Sequence, residues 1–236
     1  MREVAIKSKT YPVAGGGRLQ ALGEVAFSVG TGEFVCLSGP SGCGKTTTLR
    51  LVLGLEGEVE GSVTRADGRV AAAFQEPRLL PWRTVEANIR LALPAELADT
   101  DLDPLYADLG IAGAGGLYPG ELSLGMARRA SLARAFAVEP SLLLLDEPFV
   151  SLDEATAARL RALLMEVWQA RPTAALMVTH NLREAAELAD RIVVLSTRPG
   201  RVLGVHAITT PRHERDAAAI DAIVREVARL TPSGQL

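Results

Sequence analysis

The chain has 236 residues, of which 48% are hydrophobic and 22% charged, so it can bury a substantial core as one soluble globular domain, with or without a small added lobe. Its 25 basic and 28 acidic side chains give a formal net charge of −3, which argues against a nucleic-acid partner. The apolar runs are a handful of residues long, whereas a spanning helix needs about 20. We therefore expect a cytosolic chain with no transmembrane helix and no secretory signal.

Apolar periodicity predicts the first strands. Val25, Phe27 and Val29 alternate with smaller residues, residues 30–32 form a turn, and residues 34–37 are continuously apolar, which together predict a hairpin followed by a buried strand. Further short apolar runs occur at residues 70–74, 142–145, 174–178 and 192–195. Longer helical patterns separate them. This alternation predicts an α/β fold with a mostly parallel sheet covered by helices.

Two stretches are predicted to be helical. Residues 77–135 show helical patterns and no strand, which predicts a helical lobe inserted into the connectivity of the sheet. The tail has apolar residues at helical spacing and predicts a packed final helix. We expect one domain over residues 1–236, with a core at about 1–76 and 137–210, the helical lobe at about 77–136 and the tail at about 211–236.

A glycine-rich segment directly follows the strand predicted at residues 34–37. Residues 38–46 read SGPSGCGKT and fit the phosphate-loop pattern G-x-x-x-x-G-K-[ST]. Glycines tolerate positive φ and let backbone N–H groups surround an anion, and a helix starting at Lys45 adds its N-terminal dipole. We expect Lys45 to reach the β- and γ-phosphates and the Thr46 hydroxyl to bind Mg²⁺. The alternative is a merely flexible glycine loop.

Two acids end the apolar run at residues 142–145. Asp146 and Glu147 stand there, followed by Pro148. Because Mg²⁺ takes oxygen ligands, we expect Asp146 to hold it, mostly through water, and Glu147 to polarise the attacking water as general base. The alternative is that the two acids only cap the next helix.

Two further polar residues follow predicted strands. Gln75 closes the strand at residues 70–74, and His180 closes the strand at residues 174–178 through Thr179. Because the carboxyl ends of parallel strands line up at one edge, we expect both beside the phosphate loop, with Gln75 at the water or Mg²⁺ shell and His180 at the γ-phosphate. The alternative is that each is an ordinary polar residue at a strand end, with its hydrogen bonds satisfied.

Further motifs complete an ordered set. They are residues 121–129 (ELSLGMARR), residues 131–135 (SLARA) and residues 151–153 (SLD). With the phosphate loop and the two acids, this set resembles the ATPase subunits of ATP-binding-cassette (ABC) transporters over about residues 3–210. Residues 75–77 (QEP), 80–82 (LPW), Met126 and residues 196–200 (STRPG) are similar to the nitrate, sulfonate and taurine importer ATPases.

The resemblance implies a P-loop NTPase core with N-terminal antiparallel strands, ATP as the nucleotide and Mg²⁺ as its metal. It implies that Tyr11 stacks on adenine, that Asp153 is the interface aspartate and that His180 is the switch histidine. The alternative for Tyr11 is an ordinary edge residue of the N-terminal strand. The implied catalytic residues are Lys45, Gln75, Glu147 and His180, and the implied metal site is Thr46, Gln75 and Asp146. The implied nucleotide-binding residues are Tyr11, Gly39, Pro40, Ser41, Gly42, Cys43, Gly44, Lys45, Thr46, Thr47, Ser123 and Gly125.

The sequence departs from the family pattern in two places. Leu124 stands where the signature has its first glycine, between Ser123 and Gly125, which the family uses to contact the γ-phosphate of the partner subunit. We expect reduced turnover, either because Leu124 needs a backbone conformation open mainly to glycine or because its side chain crowds the phosphate. The segment from Lys45 to Gln75 is also short, and the missing part, a surface hairpin, falls at about residues 64–69.

The resemblance also implies partners. Each ATP lies between the phosphate loop of one subunit and the signature of another, so a second ATPase subunit is needed, a homodimer in the simplest case. The resemblance further implies separate permease subunits and, acting through them, a periplasmic or extracellular solute-binding protein. It implies no nucleic-acid partner and a peripheral position at the cytoplasmic face of the membrane. Residues 77–82, which end at Trp82, either dock the permease or pack in the helical lobe.

There are two alternatives to a transport ATPase. A non-transport relative acting on DNA or ribosomes would carry tandem cassettes or a long coiled-coil insertion, and neither appears in the sequence. A weakly active or regulatory ATP-binding subunit is favoured only by Leu124.

Overall fold

The computed structural model describes residues 2–64, 67–171 and 173–231. Within these residues the strands are β1 (Arg2–Pro12), β2 (Arg18–Leu22), β3 (Val25–Val29), β4 (Phe34–Ser38), β5 (Glu60–Thr64), β6 (Val70–Ala73), β7 (Leu142–Asp146), β8 (Ala174–Thr179), β9 (Arg191–Leu195) and β10 (Val202–Ala207). The α-helices are α1 (Lys45–Leu53), α2 (Val85–Arg90), α3 (Asp103–Asp108), α4 (Leu124–Ala137), α5 (Glu154–Ala170), α6 (Leu182–Leu188) and α7 (Ala217–Ala228). No helix of the described ranges is long and apolar enough to cross a bilayer.

Backbone contacts divide the chain into two compact units. The first unit joins Met1–Asp67 to Ala174–Leu236, and the second is Gly68–Thr173. This division groups β6 and β7 with the helices, whereas the sequence assigns these strands to the core. The predicted boundaries of core, helical lobe and tail stay a prediction.

In the first unit, β1 organises an antiparallel sheet. Its first half pairs with β3 and with β5, and its second half pairs with β2, where Lys9 lies opposite Leu22 and Tyr11 opposite Leu19. A β-bulge interrupts the pairing with β2 between Lys9 and Thr10. The antiparallel N-terminal strands of the predicted fold class are therefore present.

The other strands of the first unit are mostly parallel. β4 pairs in parallel with β8 and with β9, and β10 pairs with β9 in antiparallel orientation. Every residue of β4 and β8 is buried, as expected for strands covered on both faces. The predicted hairpin before β4 is wrong: β3 pairs with β1, and its alternating burial contrasts with the continuous burial of β4. The turn at residues 30–32 thus links two different sheets.

The second unit packs two parallel strands with helices. β6 pairs with β7, and the leucines of β7 are at most 1% exposed. α4 contacts β6, α2, α3 and α5. Residues 77–135 contain α2, α3 and most of α4 and no strand, so the predicted helical stretch is confirmed.

Strand and helix ends differ little from the sequence expectation. β6 ends at Ala73, so Gln75 lies just beyond the strand; β7 includes Asp146, and β8 extends to Thr179. The final helix α7 buries Ile223 and Val227, which confirms that it is packed. The shortened segment at residues 64–69 follows β5, and residues 65–66 within it lie outside the described residues.

Candidate nucleotide-binding and catalytic site

The phosphate loop joins β4 to α1 in the first unit. Gly42 and Gly44 have φ of 76° and 104°, in the left-handed region that favours glycine. A Cβ atom on Gly44 would also overlap the Leu22 side chain of β2. Residues 196–200 contact the loop. The Arg198 guanidinium donates to the Gly42 carbonyl at 3.1 Å, and Gly200 lies so close to the Cys43 carbonyl that a Cβ atom there would overlap it.

Lys45 lies across the loop that precedes it. Its Nζ donates to the carbonyls of Gly39 at 2.7 Å and Pro40 at 3.1 Å, and the residue is only 6% exposed. An ammonium group has three rotatable donors, so these bonds can be exchanged for bonds to phosphate oxygens. The sequence-predicted phosphate lysine is therefore placed inside its loop.

The start of α1 is free of competing negative charge. No acidic side chain lies in its first turn, so the positive end of the helix dipole is available to an anion. Thr46 is exposed at the second helical position, and Thr47 follows half-buried. The Cys43 side chain is fully buried under the loop.

His180 and the start of the phosphate loop line one cavity. The parallel register sets Ser38 opposite Thr179, which brings the next residue of each strand to the same edge. A cavity of about 270 Å³ is lined there by Ser38, Gly39, Pro40, Ser41, His180, Leu182, Val194, Leu195 and Thr231. Asn181 accepts hydrogen bonds from the N–H groups of Arg183 and Glu184 and so fixes the turn after His180.

Tyr11 lies near the end of β1, half-buried, with the Lys9 Nζ 4.9 Å from its ring centroid. Leu22, opposite Lys9 across the ladder, packs against Gly44 of the phosphate loop. The strand pair that carries Tyr11 thus flanks the loop. Stacking of Tyr11 on adenine stays a prediction.

In the second unit, the segment after β6 is held by α4. Gln75 is exposed, and the Arg134 guanidinium donates at 2.8 Å to the carbonyls of both Pro77 and Arg78. Arg78 has φ of 48° and its guanidinium lies 4.3 Å from the Phe74 ring centroid. The motif at residues 131–135 contains Arg134, but nothing in the sequence indicates that this side chain anchors the segment after β6.

The loop after β7 contains an unusual backbone. Asp146 is buried, with 6% exposure, whereas Glu147 is half-buried and has a left-handed φ of 44°. Such a conformation in a non-glycine residue costs roughly 1–3 kcal/mol and persists only where the surroundings enforce it. Arg128 of α4, 6% exposed, supplies one such contact by donating to the Pro148 carbonyl at 2.5 Å. Burial lowers the pKa of Arg128.

The same loop ends at the start of α5. Ser151 also has a left-handed φ, of 61°, and the Asp153 carboxylate accepts a hydrogen bond from the Thr156 N–H at 3.0 Å as the N-cap. Hydrogen bonds from the side chain and backbone of Thr156 lower the pKa of Asp153. The carboxylate implied as an interface residue is therefore also a helix cap.

The signature segment starts α4. The Ser123 hydroxyl caps the helix by accepting from the Met126 N–H at 3.2 Å, and Leu124 is the first helical residue, with 47% of it exposed. The expectation that Leu124 needs a glycine-like backbone is wrong, because Leu124 lies in the helix and does not have a positive φ. The helix accepts any residue there, so only the bulk of the side chain distinguishes it from glycine.

Trp82 is 70% exposed, which excludes the alternative that it packs in the core of the helical lobe. The buried Asn88 side chain explains this exposure. It accepts from the Leu80 N–H at 2.6 Å and donates to the carbonyls of Leu80 at 3.1 Å and Arg83 at 3.0 Å. These bonds satisfy the backbone on both sides of Trp82, and the turn presents the indole outward. The sequence offered no clear signal for Asn88.

Comparison with protein families gives a match to the family described as ABC transporter, over residues 22–150. An aliphatic sulfonates import ATP-binding protein, SsuB 2 of Burkholderia cenocepacia (strain HI2424), is 44% identical over 223 residues, covering 86% of this chain and 82% of that protein. The protein SsuB 1 of Pseudomonas aeruginosa (strain UCBPP-PA14), with the same description, is 42% identical and covers 87% of each chain.

Solved structures show the same fold. The dimeric structure of MJ0796, a bacterial ABC transporter cassette, superposes with a TM-score of 0.76 at 25% identity, covering 89% of this chain and 100% of that one. A dimeric post-hydrolysis state of the same cassette, bound to ADP and Pi, has a TM-score of 0.75 at 25% identity. The family match covers more than half of the chain, and the relatives extend over most of it. The chain therefore belongs to the ABC transporter family and is one of its ATPases.

Proposed function

We propose that this chain is the ATP-hydrolysing subunit of an importer for aliphatic sulfonates or related anions. The observation that carries the proposal is the phosphate loop between β4 and α1, with the buried Lys45 ammonium bonded to the loop carbonyls. The relatives that are 42–44% identical over most of the chain are sulfonate import ATP-binding proteins. The sulfonate assignment follows those names.

In this proposal, the first unit binds the nucleotide. Lys45 and the backbone N–H groups of residues 39 and 41–47 bind the β- and γ-phosphates, and Tyr11 stacks on adenine. His180 contacts the γ-phosphate, which is supported by the cavity that it shares with Gly39 and Ser41.

The second unit supplies the carboxylates in this proposal. Glu147 activates the attacking water, and the hydrogen bond from Arg128 to the adjacent Pro148 carbonyl supports a fixed backbone at this position. Asp146, Thr46 and Gln75 offer a carboxylate, a hydroxyl and an amide oxygen, a donor set that fits Mg²⁺. When bound, Mg²⁺ neutralises charge on the phosphate oxygens.

Two copies of the chain would form the working ATPase. Ser123 and Gly125 of one copy would contact the γ-phosphate bound by the other, and the similar cassette described above is dimeric. We further propose permease subunits as partners, a solute-binding protein that acts through them, and a peripheral position at the cytoplasmic face of the membrane. The exposed Trp82 is proposed to contact the permease.

A weakly active or regulatory ATP-binding subunit is the second candidate. It is favoured by Leu124 alone, whose half-exposed side chain lies beside the Ser123 cap at the start of α4. Lys45, Asp146, Glu147 and His180 are all present, which favours an active enzyme.

The test is ATP hydrolysis and solute uptake by the complex reconstituted with its permease and binding protein in lipid vesicles. Lys45→Ala should abolish hydrolysis, since the γ-phosphate loses its cation, whereas the exposed Lys7→Ala control should hydrolyse ATP at the normal rate. Retained activity of Lys45→Ala would overturn the assignment. A comparison between the uptake of an aliphatic sulfonate and the uptake of nitrate determines the class of solute.

The same vesicles test the role of Trp82. Trp82→Ala should reduce uptake while the detergent-free ATPase activity of the isolated chain stays unchanged, because the indole makes little contact within the chain. Normal uptake by this variant would remove Trp82 from the proposed docking surface.

A further inference from the structure

Lys9 is a buried lysine with a complete set of acceptors. The chain has three lysines, and Lys9 is 5% exposed in β1. Its Nζ donates to the carbonyls of Gly57 at 2.8 Å and Glu58 at 3.3 Å, and lies 3.4 Å from the Glu56 carboxylate. A buried ammonium is costly unless each N–H has a partner, and here three acceptors match its three donors.

The backbone around residues 56–58 is bent toward this ammonium. Glu58 has a left-handed φ of 37°, an uncommon conformation for a non-glycine residue, and its carbonyl is one of the acceptors. Glu56 also lies 3.8 Å from the guanidinium of Arg50, on the helix that follows the phosphate loop. Lys9 is thus held by a segment that is itself linked to α1.

The fourth contact of this ammonium is the Tyr11 ring, whose centroid is 4.9 Å away. That distance is within the range of a cation–π interaction, which orients a ring through its quadrupole. Because Tyr11 is only half-buried, the ring keeps surface available to a ligand.

We propose that Lys9 is a positioning residue for the base end of the nucleotide site: its ammonium orders the Tyr11 ring, so that adenine stacks on a ring already in place. This proposal rests on the proposed stacking role of Tyr11. An ordered ring loses less conformational entropy when the base binds, so the benefit appears as affinity for a nucleotide. The phosphate loop does not use this contact.

Lys9 should affect the binding of ligands that carry a base and not of those that lack one. ATP uses both Tyr11 and the phosphate loop, whereas inorganic tripolyphosphate uses the loop alone. Removal of the Lys9 ammonium should therefore weaken the binding of ATP and leave that of tripolyphosphate unchanged. A general disturbance of the fold would weaken both.

The experiment is titration calorimetry of the full chain with ATP and with inorganic tripolyphosphate. Lys9→Met should raise the Kd for ATP roughly three- to tenfold, the range expected for a partly desolvated cation–π contact, with the Kd for tripolyphosphate within about twofold of wild type. Lys7→Met, an exposed lysine of the same strand, is the matched control and should change neither Kd. Tyr11→Ala should weaken ATP binding at least as much as Lys9→Met.

The ATP Kd of a double variant distinguishes this positioning role from a purely structural one. In the Tyr11→Ala background, Lys9→Met should have no further effect on the ATP Kd, because the ring that it orders is gone. Fully additive losses, an unchanged ATP Kd in Lys9→Met, or equal weakening of both ligands would overturn the role of Lys9 while leaving that of Tyr11 intact. An unchanged ATP Kd in Tyr11→Ala would overturn both.

If thermal melts show that Lys9→Met is unfolded, Glu56→Gln serves as the second variant. It keeps the lysine and removes the carboxylate that helps to hold it. It should raise the ATP Kd about twofold and leave the tripolyphosphate Kd unchanged, since one of several anchors is lost. An effect on tripolyphosphate alone would overturn the proposal.

Discussion

The phosphate loop and the loop after β7 both contain residues in the left-handed backbone conformation, but with different residue types. The phosphate loop uses Gly42 and Gly44, at φ of 76° and 104°, where glycine pays no steric penalty. The loop after β7 uses Glu147 and Ser151, at φ of 44° and 61°, where side chains make the conformation unfavourable. The first loop is thus shaped by the absence of side chains, and the second is held in place by contacts from elsewhere.

The difference follows from what each loop presents. A cradle for phosphate presents backbone N–H groups, and glycine leaves them accessible. The loop after β7 presents the carboxylate of Glu147, so a side chain is required where the backbone is strained. Arg128 and the Asp153 cap fix that loop at its two ends. Four substitutions, from the largest expected effect to the smallest, test this contrast.

Gly44→Ala should have the largest effect. A Cβ there combines an unfavourable φ with overlap against Leu22, so we expect a loss of about 2 kcal/mol or more in unfolding free energy and loss of ATP binding. Gly16→Ala is the matched control, because Gly16 has φ of 84° but no atom within 4 Å of a built Cβ. It should cost only about 1 kcal/mol and keep ATP binding. Urea unfolding and calorimetry measure both, and equal losses in the two variants would contradict the clash.

Arg128→Met should loosen the loop after β7. It removes the donor to the Pro148 carbonyl, so we expect a loss of about 1–3 kcal/mol in stability and a lower kcat with little change in KM. Arg129→Met is the control on the same helix, because Arg129 donates instead to the Gly110 carbonyl. A matching fall of kcat in Arg129→Met would show that the helix in general, and not the contact with Pro148, controls turnover.

Leu124→Gly tests a position where glycine is not needed by the backbone. We expect a higher ATPase rate in the assembled transporter, by about threefold or more, because the isobutyl group is removed from beside Ser123. Stability should fall by about 0.5–1 kcal/mol, because a helical position loses a better helix former. Leu124→Ala should recover most of the rate without that loss. No gain in rate from either variant would reject the crowding hypothesis.

Asp153→Asn should have the smallest effect, visible in the pH dependence of thermal stability. Hydrogen bonds from Thr156 lower the pKa of Asp153, so the ionised carboxylate stabilises the fold above the ordinary Asp pKa of about 3.9, and this stabilisation is lost as the pH falls through the lowered value. The asparagine variant lacks this titration. The difference in melting temperature between the two proteins should therefore shrink below about pH 4. A difference that stays constant down to pH 2.5 would contradict this role.

Local sequence signals predicted much of the first loop and its helix. α1 begins at Lys45 as expected, and Gly44 and Gly54 bound it with left-handed caps. The buried strands before the phosphate loop and before Asp146 were also found, since their apolar runs are continuous. These features depend on neighbours in the sequence.

Features that depend on distant residues were not predicted. The pairing of β3 with β1 rather than β4 is a long-range choice that alternation alone does not reveal. The strain at Glu147 has no glycine or asparagine to mark it, and its support comes from Arg128, on another element. The exposure of Trp82 depends on Asn88, whose amide acts through tertiary hydrogen bonds.

The bonds between Lys45 and the carbonyls of Gly39 and Pro40 bear on how nucleotide leaves the site. When phosphate departs, the buried ammonium can take these two carbonyls as substitute acceptors. The loop carbonyls and a bound phosphate thus offer acceptors to the same ammonium, so release of the phosphate need not leave a buried charge uncompensated.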